Sequence, residues 1–326
     1  NMLNGNNETP FTPPVSGVGG TGTGDDTTRV LIPGSASADF VHVPLGEFWN
    51  MSRLCPLGFA SGISTVELSL ASANLPFTFN NTVTSITAWT VSNFELHLPI
   101  IKCGEEFNNS FRQMISSGIP INIHSVGYSN SQQNIAASTT GTVDLTFSSR
   151  KRSVKSLVAI IRKNADLSSL VVDSCGARKS CGISSYAYSI GGVQIPSQRT
   201  QITSNDAAGT SVYAQLEMMQ GRLGHTQSGT CCNRDNFRAA DDVAKGSKIA
   251  YGVDLQCYDG VQSGKNLSGA GVPIVLNAVL GTGTTNITSG TASGSAASGA
   301  ALVDLYTQFD CIYTLDGVSG VLSKSE

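Results

Sequence analysis

Phe94-Glu95-Leu96-His97-Leu98 alternates apolar and polar side chains, and residues 105–117 then place Phe107, Phe111, Met114 and Ile115 on one helical face. The same succession returns further along. Ser185-Tyr186-Ala187-Tyr188-Ser189-Ile190 alternates, and residues 211–223 align Val212, Leu216, Met219 and Leu223. A strand, a polar loop and a short amphipathic helix therefore occur twice, with β-like sequence on both sides of each copy. Two similar β-modules in tandem, with no residue set resembling an active site, point to a building block rather than a catalyst.

Outward from these two stretches the period is mostly that of strands. Residues 29–32, 39–44 and 64–71 are strand candidates, and in the last Val66, Leu68 and Leu70 alternate with Glu67 and Ser69. Residues 83–89 and 91–101 continue in the same way. Gly118 and Pro120 stop the first helix. Strands are expected again at 121–128 and 142–147. The unbroken apolar run 157–161 predicts burial on both faces. In the second half Gly191-Gly192 reads as a hairpin turn into 193–195. Residues 248–258, 273–280 and 301–313 follow as strands, then Asp316-Gly317 as a turn into 318–322. Two segments differ from the rest. Residues 1–27, with Pro10, Pro13 and Pro14, read as an extended arm, and 281–300 are almost wholly Gly, Thr, Ser and Ala, a long loop.

Composition supports this picture. The chain has 326 residues, 40% hydrophobic but only 13% charged, about half the usual charged share. Gly, Ser, Thr and Asn make up the difference, and they favour turns and strands over helix interiors. So little surface charge is tolerable where neighbouring subunits cover the surface. The net charge is −3 and the densest basic cluster is Arg150-Lys151-Arg152 with Lys155, too little for electrostatic binding to DNA. It reads as a solvated turn, with contact to an acidic partner as the alternative. No stretch reaches the length of apolar residues that spans a bilayer. The chain opens Asn1-Met2, so further sequence ahead of it is expected.

No catalytic, cofactor-binding or metal-binding residue stands out. Gly17-Val18-Gly19-Gly20-Thr21-Gly22 matches a dinucleotide fingerprint only formally. Prolines precede it and Asp25-Asp26 follow, where a strand and a helix N-terminus are required. His42, His97, His124 and His225 have no nucleophile or carboxylate at a telling spacing. Cys55, Cys103, Cys175, Cys181, Cys231, Cys232, Cys257 and Cys311 are scattered, and most read as buried thiols. Cys175 and Cys181 could bridge. With Cys231, Cys232 and His225 they fit the spacing of a zinc site poorly. Phe107, Tyr186, Tyr188, Phe309 and Tyr313 read as core aromatics.

Phe94 to Pro99, Phe111 to Gly118, the run Thr146-Phe147-Ser148-Ser149-Arg150-Lys151-Arg152-Ser153-Val154-Lys155-Ser156-Leu157-Val158-Ala159-Ile160-Ile161-Arg162, and Tyr186 to Gln198 with Tyr213 to Met219 together carry a resemblance. They resemble the double jelly-roll major capsid proteins of tailless icosahedral DNA viruses, with the nearest likeness to polinton-like virus and virophage-type capsid proteins. The resemblance covers roughly residues 36–260 and the closing strands. It implies an all-β chain of two tandem jelly-roll barrels, each with a short helix in a connecting loop. On that plan 1–27 is the arm, 28–155 the first jelly roll, lacking some N-terminal strands, and 156–326 the second, with the long loop at 281–300.

The function implied is that of a non-enzymatic major capsid protein without cofactors, forming pseudo-hexameric homotrimers in an icosahedral virion assembled inside the host cell. The implied partners are copies of itself, neighbouring capsomers, minor capsid or penton proteins and an internal membrane, with no specific nucleic-acid binding. Two other readings fit the same residues: a penton or minor capsid protein, and a secreted carbohydrate-binding or adhesin β-sandwich.

Overall fold

The computed structural model describes residues 94–95, 102–164, 167, 183–202, 212, 214–215, 249–256, 262–269, 272–280 and 299–325. Among the described residues, the helix α1 (Glu105–Ser116) precedes nine strands. These are β1 (Ile121–Ile135), β2 (Gly141–Ser148), β3 (Val154–Lys163), β4 (Ser185–Ile190), β5 (Val193–Gln201), β6 (Tyr251–Asp254), β7 (Pro273–Leu280), β8 (Ala301–Leu315) and β9 (Leu322–Ser325).

The strands form two antiparallel sheets. One has the order β1-β8-β3-β6, with β9 also paired to β8, and the other the order β2-β7-β4-β5. Numbered along the chain, the first eight strands thus alternate as 1-8-3-6 and 2-7-4-5. That is the strand order of a complete jelly roll, an eight-stranded double sheet. The all-β expectation therefore holds, and the described residues close one barrel.

Alternation decides which side chains lie between the sheets. On β7, Ile274, Leu276, Ala278 and Leu280 point inward, and all four are buried. From the opposite sheet come Leu157, Ala159 and Ile161 of β3 and Val303, Leu305 and Phe309 of β8. The tyrosines of β4 fasten the two layers together. Tyr188 Oη donates to the Tyr251 carbonyl at 2.7 Å and Tyr186 Oη to that of Gly252 at 3.0 Å, both on β6 of the other sheet.

Local sequence chemistry explains the turns and close approaches. Gly191 and Gly192 sit at φ +58° and +81°, so the β4–β5 turn needs two residues with no penalty there. Gly127 of β1 lies opposite Phe309, whose ring fills the space a side chain would need: a Cβ at Gly127 would come within 2.6 Å of ring carbons.

β3 is buried on both faces, as its apolar run predicts. Its outward residues Ser156, Val158 and Ile160 are as hidden as its inward ones. Beside them on β8 runs a row of buried polar groups. Asp304 accepts from Arg162 at 2.5 and 3.0 Å and from Gln132 at 2.7 Å. Gln308 accepts from Ser156 at 3.0 Å, and Asp310 accepts from Ser153 at 2.6 Å and pairs with Lys155 at 2.8 Å. Each group has the partner that a buried polar atom requires.

The boundary expected between 155 and 156 falls within β3. β1 and β2, assigned to the first jelly roll, pair with β8 and β7 across their full lengths. A jelly roll pairs its first strands with its last ones. Of the region expected to hold the first jelly roll, 28–155, residues 28–93 and 96–101 lie outside the described residues, and Phe94 and Glu95 are not in a strand.

The two helical copies are also unlike each other. No residue of α1 is buried, whereas Val212, helical with Ala214 and Gln215, belongs to the core. Strand β1 runs on to Ile135 because β8 offers a partner along its whole length, although Ser129 to Asn134 are polar. After Asp316 the chain turns until Val321, and β9 starts only at Leu322. Residues 1–27, 281–298, 248 and 257–258 lie outside the described residues.

Candidate functional site

The residues weighed for chemistry do not converge. His124 is exposed on β1, and His42, His97 and His225 lie outside the described residues. Cys103 is an exposed free thiol and Cys311 a buried one, and the other six cysteines lie outside the described residues, as does Gly17 to Gly22. Among the described residues no three His, Cys, Asp or Glu side chains are grouped as metal ligands, and no helix is long and apolar enough to cross a membrane. Tyr186, Tyr188 and Phe309 are core, as expected, and Tyr313 is half-buried. Phe107 is not: it is 56% exposed on α1, stacked on Phe111 with ring centroids 5.8 Å apart.

Among the described residues, two surfaces stand out as accessible. The first is α1 itself. Its first turn carries Glu105 and Glu106, both exposed, followed by the Phe107–Phe111 stack. Gly104 at its N-cap has no side chain to satisfy the first-turn N–H groups. The helix is anchored at its other end. A Cβ at Gly317, in the turn after β8, would lie 2.5 Å from the Ile115 carbonyl oxygen, so only glycine permits this approach. Ile119, Val318 and Val321 add exposed apolar surface beside that anchor.

The second surface is a groove of about 640 Å³ where the sheets part between edge strands β1 and β2. Gln132 and Gln133 line one side, Thr146 to Arg150 the other, and Val272 and Pro273 supply an apolar end. Gln133 Nε2 ties the edges by donating to the Thr146 carbonyl at 3.1 Å. Ser149 Oγ is buried without a hydrogen-bond partner, next to the exposed Arg150 guanidinium. Such an orphan is uncommon among buried hydroxyls.

Positive charge gathers beyond the groove. The Lys151 and Lys324 ammonium groups lie 4.3 and 5.6 Å from the Phe309 ring centroid. Partial burial pushes the Lys151 ammonium below its ordinary value and the Lys324 charge pushes the same way, against a smaller opposing contribution from Cys311. Burial, then Cys311, raises the nearby Tyr313 phenol. The basic turn singled out in the sequence is therefore reinforced by a lysine 173 positions further on, which no local pattern could reveal.

No protein-family model matches the chain, and no curated protein matches it. Solved structures do. PBCV-1 VP54, fitted into a reconstruction of the virophage Sputnik, is similar with a TM-score of 0.40 and 10% identity over 68% of this chain and 54% of that one. The mavirus major capsid protein is similar with a TM-score of 0.37 and 8% identity, over 63% and 41%. The major capsid protein of bacteriophage PM2 follows with a TM-score of 0.27 and 10% identity, over 57% and 45%. The chain thus spans about half the length of these viral capsid proteins.

Proposed function

We propose that this chain is a major capsid protein, a structural and non-enzymatic subunit that assembles with copies of itself into trimeric, pseudo-hexameric capsomers of an icosahedral virion. One observation carries the reading: the strand order 1-8-3-6 over 2-7-4-5 is that of a jelly roll, an architecture that recurs in viral capsid domains. The low charge and the uncovered aromatic face of α1 support self-association. The residues quoted for the family resemblance supply the double jelly-roll plan. On this reading the first barrel lies ahead of α1, and partners include neighbouring capsomers and penton or minor proteins.

Lectin domains use the same architecture, so a secreted carbohydrate-binding module is the second reading. Sedimentation of the purified chain over a concentration series tests the proposal. A discrete trimer is expected, and a strict monomer at the highest soluble concentration overturns it. Within particles, a major protein dominates the mass and a penton protein does not.

A further inference from the structure

We propose that α1 of one copy docks into the β1–β2 groove of the next, with Glu105 and Glu106 facing Arg150 and Phe107 entering the groove. The inference rests on the self-assembly reading above and names the surfaces that meet.

Charge and shape match across the two surfaces. The helix presents two exposed carboxylates and an exposed aromatic ring on one short stretch. The groove presents an exposed guanidinium and an apolar end at Val272 and Pro273. Gln132 and Gln133 use their amide nitrogens on Asp304 and Thr146, which leaves amide oxygens as acceptors along the groove. The uncapped N–H groups at the start of α1 are donors of the matching kind.

A chain cannot make this contact with itself. Ile121 pairs with Leu315, and Gly317 packs on Ile115, so the C-terminal end of α1 is held where β1 begins. The 12-residue helix is about 18 Å long. Gln132 lies 11 residues along β1 from Ile121, roughly 37 Å away at strand rise. Glu105 therefore falls short of its own groove by about half the distance. The occupant is a second copy. Because the two surfaces differ, the contact is head-to-tail and generates a ring when the rotation closes.

The full chain tests this by sedimentation, with thermal unfolding as the check on folding. The wild type is expected to assemble. Arg150→Glu alone, and Glu105→Arg with Glu106→Arg, should each weaken association on the order of tenfold. The variant carrying all three reversals should regain it, because the charges again oppose. A bismaleimide should join the native Cys103 to Ser148→Cys between chains. If the wild type assembles but the reversals change nothing, or weaken it without rescue, the docking is wrong and the capsid reading stands. If the wild type never assembles, both fall.

Discussion

Asp304 shows what single residues do here. It is 0% exposed, and the Arg162 guanidinium and the Gln132 amide both donate to it. Removing one member of a buried pair leaves the other charge uncompensated, so Asp304→Ala should cost roughly 3 kcal/mol in urea unfolding, whereas Asp304→Leu with Arg162→Met should recover most of it. The β4 tyrosines give a pH dependence with a definite sign. Burial is the main cause raising both phenols above their ordinary value. Unfolded tyrosine releases its proton near pH 10. Above that pH the unfolded state binds fewer protons than the folded state, so stability is intact below about pH 10 and falls as pH rises further. Tyr188→Phe should flatten that fall while costing about 1 kcal/mol at neutral pH, because the Tyr251 carbonyl loses its donor. Thermal unfolding across pH 8 to 11 reads both effects.

At the scale of elements, β3 separates this barrel from an ordinary two-layer sandwich. A sandwich usually wets the outer face of each sheet. Here Ile160, on the outer face, is 2% exposed and its inward neighbour Ile161 is 1% exposed. Ile160→Asp and Ile161→Asp should therefore destabilise alike, by about 3 kcal/mol or more, through an unpaired buried charge. A negligible effect of Ile160→Asp in chemical denaturation would show the outer face to be wet. The close pairing of β1 with β8 makes a related demand. Gly127→Ala drives a methyl group into the Phe309 ring and should cost about 1–3 kcal/mol by overpacking. Phe309→Leu in the same background should relieve part of it.

For the whole molecule, the relevant energies lie between copies. If carboxylates on one α1 meet Arg150 of the next copy, association should weaken as salt is raised, with the larger effect on the association rate. The triple charge reversal should keep that salt dependence, since it exchanges the signs without removing them. Light scattering at low and high ionic strength measures it, and salt-independent assembly would point to a contact made by the apolar surface alone. Thiol chemistry adds a reporter of packing: Cys103 should react in the native protein, and Cys311 only after unfolding.

Much of the architecture is legible in the residues themselves, because alternation and its interruption are local properties. The strands at 142–147, 157–161, 186–190 and 273–280 and the helix at 105–117 follow from periods of two and 3.6, and the Gly191-Gly192 turn from glycine's freedom at positive φ. Composition alone also indicates a chain poor in surface charge. Pairing is another matter. That β1 lies beside β8, that Arg162 meets Asp304 142 residues away, and that Lys324 reaches the ring Lys151 covers are outcomes of long-range registry. Registry depends on the free energy of packing the whole sheet, not on any short stretch. For the same reason no local pattern shows that strands at the beginning of the barrel pair with those at its end. The groove beside Ser149 has no signature in the residues that line it, and exists only because two sheet edges part at that place.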